Sequence, residues 1–250
     1  FTYPNQDLFD SEVEIYRKFL PLISPIVGED IPSNTWDIPY TISELSYLVH
    51  SHYRYYGKFP SAVVGQLLDQ FPPPTNEHYV LDNFCGSGTT LVEAKLRGIK
   101  SYGLDISWLS CLASNVKANV IDANKILLEL GRIAHEFHRS VIFSCPPEDS
   151  FLDKWFTKEA ARDLFALREI IFKLPASTEK DFLLVAFIGV IRRVSKAFDA
   201  EVRPHINKNK KERPVFDAFS KKVRDMCADH EDYMALIDPN TPSSCISSGL

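Results

Sequence analysis

The chain has 250 residues, 45% of them hydrophobic and 24% charged, with a formal net charge of −5. These values are ordinary for a globular protein of one large domain, or of a core with one insertion. No apolar run approaches the roughly 18 residues needed to cross a bilayer, and a chain of this charge is not coated in positive surface, so any polyanion must meet a local basic patch.

Five cysteines at irregular spacing, with no C-x-x-C pair, point to reduced thiols in the cytoplasm and to no zinc site. No secretory signal opens the chain, and Phe1-Thr2-Tyr3-Pro4 is not a translational start, so the N-terminus is read as trimmed.

Residues 1–49 are expected to form an N-terminal helical and loop segment. A helix is expected over residues 11–20, with Val13, Tyr16, Phe19 and Leu20 on one side, and Pro21, Pro25 and Pro32 end it. Trp36 and Tyr40 read as packing residues. The stretch His50-Ser51-His52-Tyr53-Arg54-Tyr55-Tyr56-Gly57-Lys58-Phe59-Pro60 is dense in aromatics and cations. It is either an exposed lead-in to a helix or a loop over a ligand, offering ring faces to an adenine or a sulfonium cation. A helix over residues 61–71 follows, capped by Ser61, with Val63, Val64, Leu67 and Leu68 inward. Pro72-Pro73-Pro74 is a stiff connector.

Residues 79–81 read as a buried strand, followed by the turn Gly86-Ser87-Gly88 and a helix over residues 89–97. Glycine removes the Cβ that would keep a ligand from the backbone, and a helix start presents unpaired N–H groups. Such a turn alone can be purely structural. A second strand, Ser101-Tyr102-Gly103-Leu104-Asp105, ends in an acid about 20 residues downstream, the position that accepts hydrogen bonds from ribose hydroxyls in βαβ nucleotide-binding units. An adenosine-type cofactor is therefore expected here.

Helices are next expected over residues 106–119 and 121–138, the second with Leu127, Leu128, Leu130, Ile133, Ala134 and Phe137 on a wide apolar face. His135 and His138 read as a surface pair on it. Residues 141–148 read as a loop; its Cys145-Pro146-Pro147-Glu148 offers neither an amide, acid or hydroxyl at the first position nor an aromatic at the last. Further helices are expected over residues 157–174, 178–198 and 215–236. Between the last two lies the most basic run of the chain, with Arg203, Lys208, Lys210, Lys211 and Arg213 as candidate phosphate contacts; the alternative is a solvated loop.

The segment Asp82-Asn83-Phe84-Cys85-Gly86-Ser87-Gly88-Thr89-Thr90 resembles the S-adenosylmethionine-binding motif of DNA amino-methyltransferases, departing only at Asn83, where proline is common. Gly103-Leu104-Asp105-Ile106-Ser107 is similar to that family's next motif, and His52-x-Tyr…Gly57-Lys58-Phe59-Pro60 to the motif that completes the methionine end of the pocket. The resemblance implies cofactor contacts from Tyr55, Lys58, Phe59 and Pro60, from residues 82–90 and from Asp105, Ile106 and Ser107.

It further implies an α/β Rossmann-like methyltransferase sheet, partial, with a large helical insertion. The core occupies residues 50–120, the insertion, a possible DNA-recognition region, residues 121–240, and residues 241–250 begin a further core strand. The family's Pro-Pro-aromatic catalytic motif is not found, so the catalytic residues are unassigned. The expected function is methyl transfer from S-adenosyl-L-methionine to adenine N6 or cytosine N4 of DNA, in restriction-modification or defence, the chain being truncated or split before that motif. An RNA methyltransferase, or a non-catalytic subunit acting through a second chain, are the alternatives.

Overall fold

The computed structural model describes residues 41, 44–199 and 203–247. The helix expected over residues 11–20, with Trp36 and Tyr40, lies outside them. Two short 3-10 turns, Glu44–Ser46 and Leu48–Ser51, lead into the aromatic stretch. Helix α1, Ser61–Gln70, follows, with Val64 and Leu68 buried. Its N-cap is Pro60, not Ser61. The Ser61 hydroxyl donates to the Leu45 carbonyl at 2.8 Å and so fastens the helix to the first turn instead of capping it.

Strand β1 (Val80–Asp82), helix α2 (Thr89–Leu96) and strand β2 (Ser101–Asp105) form the expected βαβ unit. The strands are parallel, with Val80 opposite Ser101 and Asp82 opposite Gly103. Strand β3 (Ser243–Ser247) joins the other side of β2, also parallel, giving the order β1-β2-β3. The class is mixed α/β with a partial Rossmann-like sheet, as the sequence suggested.

Helix α3, Trp108–Ala118, starts at a Ser107 cap that accepts from the Ser110 amide. It packs along β2 and β3, and its Asn115 behaves as a strand would. The side chain accepts from the Cys245 amide at 2.7 Å and donates to the Cys245 carbonyl at 2.9 Å. That closes the outer edge of β3 at one residue, which leaves fewer open backbone groups there.

Helices α4 (Ala123–Ser140), α5 (Ser150–Trp155), α6 (Lys158–Lys173), α7 (Thr178–Val194) and α8 (Val215–Met234) make the body inserted between β2 and β3. Asp122, Asp149, Thr157 and Ser177 accept backbone N–H groups at the starts of α4 to α7, each cap worth about 1 kcal/mol. Their apolar faces meet in one core around Ile126, Ile133, Leu167, Phe182, Phe219 and Met226. Helix α7 ends at Val194, short of Phe198, because Ser195 turns its own hydroxyl and amide onto the Arg192 carbonyl.

One face of the sheet is covered by α2 and α3. The opposite face carries Tyr79, Leu81, Tyr102 and Ile246, with Leu81 57% and Ile246 60% exposed. The Tyr79 and Tyr102 rings meet edge to face at 5.1 Å.

The body and the sheet meet at α3, whose Ala113 and Val116 belong to the helical core. Beside them Lys117 is wholly buried and its ammonium has no hydrogen-bond partner among the described residues; burial pushes its pKa down to about 7. Between pH 7 and 10.5 the unfolded chain holds a proton that the folded chain has released, so Lys117 makes stability rise with pH in that window. Lys117→Met is expected to raise stability at pH 7 by about 1–3 kcal/mol, with the gain shrinking towards pH 10. Urea unfolding at the two pH values reads it, and a variant less stable than the parent at pH 7 would refute it.

Candidate cofactor site

The C-terminal end of β1 delivers Asp82 to a turn that it then holds in shape. Its Oδ1 accepts the Phe84 amide at 3.1 Å and its Oδ2 accepts the Thr90 hydroxyl at 2.6 Å, so one carboxylate joins strand, turn and the first residues of α2. The Cys85 amide donates to the Leu104 carbonyl of β2 at 3.0 Å, and Gly88 N–H closes onto the Cys85 carbonyl at 2.9 Å.

Two glycines are needed here for conformation and for space. Gly86 and Gly88 have φ of +53° and +75°, in the region side chains avoid. A Cβ on Gly88 would lie 2.7 Å from Ser114 Oγ and 2.9 Å from the Ser114 backbone, while one on Gly86 would lie 3.0 Å from the Tyr55 ring. Tyr55, from the aromatic stretch, therefore lies directly against the glycine turn.

Asp105 sits at the end of β2 and spans both loops. Its Oδ2 accepts the Gly86 amide and its Oδ1 the Ser107 amide, each at 2.8 Å. Each carboxylate oxygen has a second lone pair for a further donor. Around this point the side chains of Phe84, Ile106 and Trp108 are 86%, 83% and 62% exposed. Asn83 is exposed, whereas Ser87 and Thr89 are buried and the Ser87 hydroxyl has no hydrogen-bond partner among the described residues.

Beneath the turn lies a group of buried free thiols, Cys85, Cys111 and Cys245. Cys85 Sγ lies 3.5 Å from Cys245 Sγ and 3.4 Å from Ser114 Oγ, contacts that hold its thiol below the ordinary range. Gly103 of β2 makes room for it, since a Cβ there would meet Cys85 Sγ at 2.6 Å.

The remaining cofactor candidates are spread along residues 55–60. Lys58 is half-buried and donates to the His50 carbonyl at 3.3 Å, with burial lowering its pKa. Phe59 and Pro60 are exposed at the start of α1. The structure thus brings Tyr55, residues 82–90 and residues 105–107 into one turn region.

Of the basic candidates, Lys210 departs from the expectation. It is largely buried, and its ammonium donates to the Arg192 and Ala197 carbonyls at 3.0 and 2.7 Å and to Asp199 Oδ1 at 2.7 Å. It clasps the end of α7 and is not available to a phosphate. Arg213 faces Asp199 at 3.3 Å, half exposed. Arg203, Lys208 and Lys211 are exposed.

Sequence reasoning missed the groups that hold the site from behind. Glu93 on α2 accepts from Tyr47, His50 and Arg97, and Ser114 on α3 donates to the Gly86 carbonyl at 3.0 Å. The one signal for Ser114 was indirect, a small polar residue on a helix face that must pass a glycine turn.

Residues 23–115 match the family described as DNA methylase, of the N6/N4 type. The chain is similar to the type II methyltransferase M.MvaI of Kocuria varians, 27% identical over 161 residues, which is 59% of this chain and 36% of that protein. It is similar also to the type II methyltransferase M.MjaII of Methanocaldococcus jannaschii, 34% identical over 117 residues, 42% of this chain and 21% of that protein. To the type II methyltransferase M.BsoBI of Geobacillus stearothermophilus it is 37% identical over 90 residues, 36% of this chain and 17% of that protein. The chain therefore spans well under half the length of these relatives. No solved structure matches it.

Gly88→Ala should be poorly tolerated, because the new methyl meets Ser114 backbone that cannot swing aside. The expected loss is about 1–3 kcal/mol of stability, read by urea unfolding. Gly57→Ala, also at positive φ but with open space around it, should cost less; equal losses would mean that the contact with Ser114 is not what constrains the turn.

Proposed function

We propose, from the match of residues 23–115 to the N6/N4 DNA methylases, that this chain holds S-adenosyl-L-methionine at the glycine turn for methylation of a DNA base in restriction-modification. S-adenosylmethionine is the methyl donor of such enzymes generally, and it supplies an electrophilic methyl group. The observation that carries the assignment is Asp105. Its carboxylate is fixed by the Gly86 and Ser107 amides at the carboxyl end of a parallel sheet, where nucleotides bind in open α/β folds, and it retains acceptor capacity for ribose hydroxyls.

The neighbouring groups fit the rest of such a ligand. Phe84 and Ile106 offer exposed apolar surface to an adenine, and the first amides of α2 offer donors to a carboxylate. Tyr55 lies over the turn, and Lys58 brings a cation to the same stretch. In this reading the chain binds and orients the cofactor.

The acceptor chemistry needs further groups. An exocyclic amine is a poor nucleophile because its lone pair is delocalised into the ring. The base is displaced from the stack and stacked on an aromatic, with an acceptor directing the lone pair at the methyl. Cys145-Pro146-Pro147-Glu148, between the 3-10 turn Val141–Phe143 and α5, has neither function. We assign base positioning to a C-terminal part or a second chain. The apolar sheet face at Leu81, Tyr102 and Ile246 supports that reading, because parallel sheets bury both faces.

Among the described residues no helix is long and apolar enough to cross a membrane; we place the protein in the cytoplasm with its DNA. The test is cofactor binding by calorimetry, alongside transfer of labelled methyl to duplex DNA and to RNA. Asp105→Ala should weaken cofactor binding by about 1–3 kcal/mol, roughly five- to 150-fold in affinity. Unchanged affinity would sink the assignment, and label entering RNA but not DNA would change the substrate.

A further inference from the structure

Within the inserted body, α5, α6 and the end of α7 enclose a concavity of about 470 Å³, a size typical of small-molecule sites. Its wall is almost wholly carbon and largely aromatic, from Phe151, Trp155, Phe165 and Phe187. Among the described residues that line it, the charged ones are Arg168 and Arg192, with no acid. Lys154 adds a third cation, its ammonium 5.2 Å from the Trp155 ring.

The rings keep surface to offer: Phe151, 6.3 Å from Trp155 centroid to centroid, is 62% exposed. The Arg168 guanidinium stands 5.3 Å from the Phe165 centroid and 5.7 Å from that of Phe172. Its ion pair with Glu169, at 3.1 Å, joins two half-exposed groups and is weak. The lining hydroxyl, Ser195, is committed to the Arg192 carbonyl.

A ligand for such a site has a flat apolar face and a negative charge beside it. From this we infer that the pocket takes an unpaired nucleobase of a DNA strand, stacked on Phe151 and Trp155, with its phosphates beside Arg168 and Lys154. The inference rests on the reading above for the choice of DNA as partner. A paired base has no free face, so the ligand is single-stranded or displaced from a duplex. With the wall apolar and Ser195 occupied, the base is gripped by its faces and not read at its edges, so the four bases bind alike.

The pocket adjoins the cofactor region through one side chain. Arg192 lines it and also donates to the Tyr56 hydroxyl, and Tyr56 follows the Tyr55 whose ring lies on Gly86.

The experiment is titration of the full chain with a short oligodeoxythymidylate and with the same backbone carrying abasic sites, read by fluorescence anisotropy and by tryptophan emission. Cofactor affinity is measured on the same preparation. Expected are quenching by the base-bearing strand, about tenfold weaker binding of the abasic strand, and similar affinity for oligodeoxyadenylate. Phe151→Ala and Arg168→Gln, both at exposed positions, should each weaken the base-bearing strand about five- to tenfold and leave cofactor affinity unchanged. Trp155→Phe should bind but lose the quenching. Equal affinity for the abasic strand, or no effect of Phe151→Ala, would overturn the inference and leave only phosphate contacts. No binding of either strand by protein that still binds cofactor would overturn it as well. Strand binding as expected with no cofactor binding would sink the earlier reading alone.

Discussion

The structure around the glycine turn depends on one buried carboxylate. Glu93 projects from α2, the helix that leaves the turn. It accepts from the Tyr47 hydroxyl, from His50 Nε2 at 2.8 Å and from Arg97 at 2.8 Å. Burial alone would raise its pKa; the hydrogen bonds from His50 and Tyr47 hold it lower. Burial pushes His50 down to about 4, so its ring is neutral and donates Nε2–H, and Arg97 supplies the compensating charge. Arg97 also forks onto Asp69 of α1 at 2.7 and 3.1 Å. It fits because residue 65 of α1 is glycine, where a Cβ would lie 2.6 Å from the guanidinium. A buried charge is tolerated only when so fully partnered. The consequence is positional: the turn Leu48–Ser51, helix α1 and helix α2 are locked together, which fixes where the aromatic stretch begins relative to the glycine turn.

What the sequence made legible were features written in consecutive residues. The glycines of the turn and the acid ending β2 follow from local chemistry, and the structure has them at their expected places. What it did not make legible depends on partners far along the chain. Ser61 has the residue type of a cap, yet its hydroxyl goes to Leu45, a competition invisible to a rule that looks only forward from the helix start. Lys210 has the composition of a phosphate contact, but it lies within reach of the open carbonyls ending α7, which an ammonium satisfies well. Asn115 and Glu93 sit on helices whose periodicity says only that those faces are inward, not that polar atoms there will be matched.

The sheet is asymmetric in a way that composition also could not reveal. Its three strands are parallel, and one face is sealed by α2 and α3, with the thiols of Cys85, Cys111 and Cys245 in the seal. The other presents Tyr79, Leu81, Tyr102 and Ile246. Both faces alternate with the pleat, so a single register shift would exchange them. Gly103 guards against that shift, because only a residue without a Cβ can sit opposite Cys85.

The two bodies of the described chain, sheet unit and helical insertion, are joined at α3 and again at a surface contact richer in chemistry. Arg54 stacks on Tyr56 at 4.9 Å and donates to the Asp199 carbonyl, while Arg192 donates to the Tyr56 hydroxyl and the Phe198 carbonyl. Lys210 holds Asp199 and the end of α7 from the other side. The turn after α7 is therefore fastened on one side to its own body and on the other to the residues preceding Tyr55. A rearrangement of residues 198–199 must break hydrogen bonds to Arg192 or Arg54, and any movement of Tyr55 off the glycine turn must pull on its neighbour Tyr56, which Arg192 also holds. Arginine suits both positions: the fork of Arg192 bonds a hydroxyl and a carbonyl at once, and the plane of Arg54 lies on a ring while it bonds a carbonyl. A lysine at position 192 would keep the charge but replace the fixed planar fork by a flexible point donor, loosening the coupling between the insertion and the aromatic stretch.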